Sequence, residues 1–278
     1  MTVEAWLSHL EEHGRRPNTI LTYGKIVRGH FRRLTAAGLS VDPWSITDET
    51  IRWLAVNSQF TPSARQQAIM VLGAWVEWET GSNPVKKADI LWNHVEPERH
   101  FIDSEILADA LAVADPRERL VLLMGAKMGL RRMEIAGARL SDIEGNRILI
   151  WGKGHGTGKP AKVLMPEIVR EALDDYLRLE RDKIDPYRRI PEVILRTYHG
   201  VEPITPSDVG NIMTRIEKKC GHHITAHSLR RLFATTLHED LGADIHDICT
   251  LMRHDSIETT RIYIRTNQAR LDDLAERV

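Results

Sequence analysis

Apolar residues recur at helical spacing along most of this chain, and that repeat limits the possible folds more than any other feature. Ile20, Tyr23, Val27, Phe31 and Leu34 form one stripe, opened by Pro17-Asn18-Thr19 with Asn18 as the expected N-cap and closed at Gly38. Lys25, Arg28 and Arg32 fall together on roughly the opposite side. A short amphipathic segment, Val3 to His13, precedes this helix. Two more follow, Asp48 to Asn57 behind Thr47 and Ala64 to Glu79 behind Thr61-Pro62-Ser63, before Gly81-Ser82-Asn83-Pro84 interrupts. Residues 1–84 therefore read as a four-helix unit. From Val85 to about His100 no face persists, so residues 85–100 are expected to form an extended interdomain linker.

A second domain is expected over residues 101–278. Helical patterns occupy Ser104–Ala114, Arg117–Met128 and Arg131–Ala138, then Glu167–Lys183 and Ser207–Lys219. They continue with Ser228–Asp240, Asp244–Met252 and Ser256–Ile264, and a last amphipathic piece covers Asn267–Val278. Alternation of period two is confined to Ile148–Trp151 and Lys162–Met165, separated by the loop Gly152 to Lys159. The fold class that follows is mainly α with a small antiparallel β-sheet.

Composition excludes several classes of function. Two cysteines, Cys220 and Cys249, are too few for a disulfide framework and match no metal knuckle, so a reducing cytoplasm is the expected location. The most apolar run, Leu120 to Leu130, contains Lys127 and is far short of a membrane span, and the N-terminus carries no export signal, so no membrane partner is expected. The net charge of −1 is unusual for a nucleic-acid binder, but the charge is segregated: from His13 to Val41 there is no acid and six Lys or Arg.

Chemistry concentrates in the second domain. Arg131 and Arg230 are planar, permanent cations suited to the equatorial oxygens of a pentacoordinate phosphorane. Tyr263 is a candidate nucleophile, needing nearby positive charge to lower its pKa from about 10. His227 lies one helical turn before Arg230 and points the same way, and His254 can donate to a phosphate oxygen. Lys153, at the tip of the glycine-rich loop, can protonate a leaving 5′-oxygen, with Lys159 and Lys162 as rivals for that role. The loop lacks the spacing of a P-loop. Singly, each residue also fits an ordinary role: a surface ion pair for either arginine, a core phenol for Tyr263, a capping or core histidine for His227. The basic stripe of the second helix also fits a solvated face. His222, His223 and His227 match no common zinc spacing, and neither metal nor cofactor is expected.

Taken in order, Gly129-Leu130-Arg131 with Glu134, Ile150-Trp151-Gly152-Lys153-Gly154, His227-Ser228-Leu229-Arg230 and His254-Asp255-Ser256-Ile257-Glu258-Thr259-Thr260-Arg261-Ile262-Tyr263 resemble the tyrosine recombinase (phage-type integrase) family, in its compact, two-domain Xer-like plan. The resemblance covers nearly the whole chain. It implies an N-terminal helical, SAM-like core-binding domain and an α+β catalytic domain. It further implies that Arg131 and Arg230 clamp a scissile phosphate and that Lys153 protonates the 5′-hydroxyl. His227 would assist proton transfer, His254 would bind the phosphate and Tyr263 would form a 3′-phosphotyrosine, with Glu134 positioning the helix of Arg131.

The implied function is a site-specific recombinase that cleaves and rejoins duplex DNA in integration, excision or dimer resolution, without metal or ATP. The alternatives are a catalytically silent DNA-binding regulator of the same fold and a type IB topoisomerase. Double-stranded DNA is the expected partner, with Lys25, Arg28 and Arg32 resting on its backbone. The family plan adds a homo-tetramer on DNA, assembled from a protein that can be monomeric when free, a docking role for Asn267–Val278 and an accessory directionality factor. Three positions depart from the family pattern: Arg253 where a glycine commonly precedes the histidine, Arg231 where a second histidine is frequent, and a hairpin unusually rich in glycine.

Overall fold

A computed structural model describes residues 2–92, 100–152, 159–198, 200–261 and Glu276. The chain forms two compact units, residues 1–98 and 99–278.

The first unit is helical throughout: α1 (Val3–Glu12), α2 (Pro17–Ala36), α3 (Asp48–Val56), α4 (Pro62–Thr80) and the short α5 (Pro84–Lys87). The expected stripe does face inward, with Val27 and Leu34 buried and Tyr23 and Phe31 packed on the same core. Aromatic pairs fasten it: Trp6 stacks on Tyr23 at 5.9 Å and Phe31 meets Trp75 edge-on at 5.0 Å. The start of α2 differs from expectation. Pro17, not a residue after Asn18, takes the first helical position behind Arg16, because proline's missing N–H costs nothing there and its φ is already helical.

The first residues of the expected linker are not extended. Asn83 caps α5 through the Val85 N–H, and Val85 and Ala88 are buried in the first unit's core. That packing depends on Gly73 in α4, where a Cβ would stand 2.5 Å from Val85 and 2.8 Å from Asn83. Residues 93–99 lie outside the described residues.

The second unit is built around α7 (Pro116–Met128), whose Leu120 to Met124, Ala126 and Met128 are all buried, which explains why this segment shows no polar face. Packed near it are α6 (Ser104–Val113), the short α8 (Arg132–Ala136), α9 (Glu167–Tyr176), α11 (Pro206–Cys220) and α12 (Ala226–Thr235). A five-residue π-turn, Leu177–Arg181, joins α9 to α10 (Asp182–Ile184), and a second one, Thr236–Asp240, ends α12. Then come α13 (Ile245–Leu251) and α14 (Ile257–Arg261).

The expected hairpin is the larger part of a three-stranded antiparallel sheet, β1 (Ile143–Glu144), β2 (Arg147–Trp151) and β3 (Pro160–Leu164), in which Ile148 pairs with Val163 and Trp151 with Pro160. A separate two-stranded ribbon, β4 (Leu195–Arg196) with β5 (Glu202–Pro203), was not expected; strands of two residues cannot display a period. The architecture is mainly α with small antiparallel sheets. Among the described residues no helix is long and apolar enough to cross a membrane.

Candidate active site

Two turns create the site. The first ends α7: Gly129 takes the left-handed conformation at φ 59°, and a Cβ there would also strike the Phe233 ring at 2.5 Å. Arg131 follows as the residue before α8. Its N–H donates to Glu134 Oε2 at 2.9 Å and its Nη1 to Glu134 Oε1 at 2.8 Å, so Glu134 both caps the helix and aligns the guanidinium. The second turn, Met252 to Ser256, links α13 to α14 and carries Arg253 and His254.

Arg230 joins the two turns. It comes from α12, which Thr225 and Ser228 start with a reciprocal capping box. Its side chain is buried, 1% of the residue being exposed, and donates to the carbonyls of Gly129 and Met252. Its Nη1 stands 3.9 Å from Glu134 Oε2. Arg253 approaches the same carboxylate at 2.9 Å and the Gly129 carbonyl at 3.0 Å. Glu134 therefore faces three guanidiniums. Burial alone would raise its pKa, but Arg253 and then Arg131 outweigh burial and hold it below the usual value.

Three guanidiniums against one carboxylate leave two net positive charges in a largely desolvated cluster. Two histidines lie beside that surplus, and burial first, then the arginines, keep both uncharged. His254 is half-buried, and its Nδ1 lies 2.8 Å from the hydroxyl of buried Thr260. Desolvation, followed by the charges of Arg230, Arg131 and Arg253, lowers its pKa to about 4. His227 keeps an open face to solvent. The protein packed around the rest of its ring, then Arg231, Arg230 and Arg131, lower its pKa to about 4 as well. Both imidazoles are neutral at pH 7, so the cluster keeps its two net positive charges.

Four sequence candidates thus meet in one place: Arg131, His227, Arg230 and His254. Tyr263 and Lys153 lie outside the described residues, and so does the rest of the loop 153–158. The hairpin base is described: Gly152 N–H donates to the Lys159 carbonyl at 2.9 Å, and a Cβ on Gly152 would lie 3.6 Å from Glu134 Oε1. The rival lysines differ in placement. Lys159 pairs with Asp255, beside His254, at 2.7 Å, whereas Lys162 pairs with Glu144 on β1 at 2.8 Å.

In the first unit Lys25, Arg28 and Arg32 are all exposed, and Arg28 pairs with Glu4 at 2.9 Å. Glu4 lies on α1, beyond the reach of a reading confined to one helix. Of the three histidines weighed for zinc, His222 meets Asp109 and His223 meets Glu217. Among the described residues no three metal-binding side chains gather.

Two contributors are not legible from the sequence alone: Arg253 stands there only as a departure from the family pattern, and Thr260 only as part of a motif. Their signal was spacing to His254, one residue and six residues away, which becomes legible once the turn is known to fold back.

Residues 101–270 match the model of the phage integrase family. The chain is 27% identical over 282 residues to tyrosine recombinase XerA of Pyrococcus furiosus, spanning 99% of this chain and 93% of that protein. Its fold is similar to that of a λ integrase fragment, residues 75–356, solved as a dimer bound to a COC′ core site, with TM-score 0.70 at 17% identity over 94% of this chain and 93% of the other. A λ integrase tetramer bound to a Holliday junction gives TM-score 0.70 at 16% identity, over 95% of this chain and 76% of that one.

Proposed function

Because the chain belongs to the phage integrase family, we propose that its arginine–histidine cluster seats one scissile phosphodiester of duplex DNA for attack by Tyr263. The chain is a tyrosine recombinase, an enzyme of site-specific DNA recombination. The observation that carries the assignment of the cluster is its charge: two net positive charges lined with neutral histidines, matching a phosphodiester and the extra negative charge of its transition state.

In the reaction, the Tyr263 oxygen forms a bond to phosphorus as the bond to the 5′-oxygen breaks. Arg131 and Arg230 hold the non-bridging oxygens through reaction. His254, steadied by Thr260, donates to one of them, and His227 takes up the phenolic proton, for which a neutral imidazole is required. Lys153 delivers a proton to the departing 5′-oxygen; the hairpin base beside Glu134 supports this choice over Lys162, which is drawn to β1. The 3′-phosphotyrosine keeps the energy of the broken bond, so a second 5′-hydroxyl can reverse the attack and rejoin strands without ATP.

The exposed Lys25, Arg28 and Arg32 of the first unit rest on the DNA backbone, giving affinity that falls with salt. Four copies act on two duplexes, as in the Holliday-junction complex of λ integrase, with Asn267–Val278 docking on a neighbour and a directionality factor as a further partner. The place of action is the nucleoid of a prokaryotic, viral or mobile-element host. No observation favours a silent regulator or a type IB topoisomerase.

Trapping on a nicked suicide duplex, in EDTA and without nucleotide, tests this reading. Wild-type protein is expected to form a covalent adduct and Tyr263→Phe none. An adduct formed by Tyr263→Phe would show that another residue attacks.

A further inference from the structure

Arg253 occupies a backbone position that suits glycine, with φ 55°. An arginine held there needs compensating contacts, and they are specific. Nη2 donates to the Gly129 carbonyl at 3.0 Å and to Glu134 Oε2 at 2.9 Å, while Nη1 donates to the Leu251 carbonyl at 2.9 Å. Its own carbonyl accepts from Arg131 Nη2 at 3.2 Å. One residue thereby fastens the turn bearing His254 to the turn bearing Arg131.

The division of labour on Glu134 follows from exposure. The side chain of Arg131 is 26% exposed and that of Arg253 13%, against 1% for Glu134. Both arginines commit their terminal nitrogens to protein oxygens, Arg131 to Glu134 and the Arg253 carbonyl, Arg253 to Glu134 and the Gly129 and Leu251 carbonyls. Arg131 is the more exposed of the two and makes the long 3.2 Å bond, so it is the one with an edge open to a ligand. When Arg131 shifts toward a phosphate, Glu134 would become a buried carboxylate losing a partner, a costly state unless another cation stays on it.

We propose, resting on the recombinase reading above, that Arg253 is a positioning residue for strand cleavage. By holding Glu134 and the Gly129 carbonyl, it fixes the placement of Arg131 and His254 and keeps Glu134 paired while Arg131 engages the scissile phosphate. Arg253 itself does not touch the DNA.

The experiment is single-turnover cleavage of a saturating suicide duplex by wild type, Arg253→Gly and Arg253→Asn, with DNA affinity measured on an intact duplex. Glycine relieves the backbone and asparagine tolerates the same conformation, so neither variant adds backbone strain to the loss of the guanidinium. Cleavage is expected to fall by about 10- to 100-fold, the cost of a slight misplacement of reacting groups, with affinity changed by less than about threefold. Arg253→Lys, keeping the charge, should recover part of the rate. In a Glu134→Gln background the same Arg253→Gly change should cost much less, because its partner is already neutral.

Unchanged cleavage by the variants would overturn the proposal. So would rate and affinity falling in step, or an undiminished penalty in the Glu134→Gln background. The wild-type reaction run alongside separates the readings: no wild-type adduct refutes the cleavage chemistry itself, whereas a full wild-type adduct matched by the variants refutes only the role of Arg253.

Discussion

Two arginines in the second unit are buried to the same degree and serve different ends. Arg181 is fully buried and donates to the carbonyls of Val193, Ile190 and Glu192 at 3.0, 2.6 and 3.1 Å, with Asp185 at 3.6 Å. Arg230 is equally hidden and also donates to carbonyls. Burial and hydrogen bonding therefore do not distinguish them. Company does. Arg181 has a carboxylate nearby to match its charge, and its neighbourhood is a structural knot that ties the 190–193 segment to the π-turn after α9. Arg230 shares a single carboxylate with two other guanidiniums and lies among two histidines whose pKa values are lowered. Uncompensated charge, held in place by carbonyls, is what suits the second cluster and not the first to the proposed phosphate.

The largest expected effect separates the pair by readout. Arg230→Ala should cut single-turnover cleavage by about 10³-fold while DNA binding persists; a parallel loss of binding would mean that Arg230 only anchors the protein. Next, Arg181→Met should leave cleavage per folded molecule unchanged but cost about 3 kcal/mol of stability, read by urea unfolding, because carbonyls and a carboxylate lose their donor. Slower chemistry at unchanged stability would break the comparison.

A third expectation uses the histidines and brings in the first unit. His30, buried in that unit's core, has a pKa lowered to about 4, chiefly by desolvation, as do His227 and His254. In the window from 6.5 down to about 4 the unfolded chain binds protons that the folded chain refuses. Stability should therefore decline as pH falls through that window. NMR titration of the free protein should find all three rings neutral at pH 6. Added DNA should raise the midpoints of His227 and His254, by supplying a nearby negative charge, and leave His30 unmoved. Equal shifts in all three would point to a global change instead.

The smallest effect belongs to the exposed Lys159–Asp255 pair. Lys159→Ala should change stability by less than about 1 kcal/mol and leave the cleavage rate within a few-fold of wild type. A loss as large as that of Arg230→Ala would transfer the general-acid role from Lys153 to Lys159.

Much of this was legible in the sequence because helices announce themselves by period. The stripe from Ile20 to Leu34 and the capping signals at Thr47 and Thr61 placed most of the first unit, and Ile148–Trp151 placed the main strand. What failed was short or non-local. The strands Ile143–Glu144, Leu195–Arg196 and Glu202–Pro203 are two residues each, too brief to alternate. The segment from Val85 reads as linker because the short α5 cannot show a face, although Val85 fills a gap kept open by Gly73. In the site, motif order brought out Arg131, His227, Arg230 and His254. The role of Arg253 is not legible there, because its partners Gly129 and Glu134 lie more than a hundred residues upstream.

The charge surplus around Arg230 is open to one direct measurement. A suicide duplex carrying a neutral methylphosphonate at the scissile linkage removes the anion that the cluster is built to match. The penalty of Arg230→Ala, measured as the ratio of wild-type to variant cleavage rates, is expected to shrink from about 10³ on phosphate to about 10 or less on the neutral linkage. Equal penalties on the two substrates would contradict the account, placing the role of Arg230 in holding the two turns together and not in meeting the charge of the phosphate.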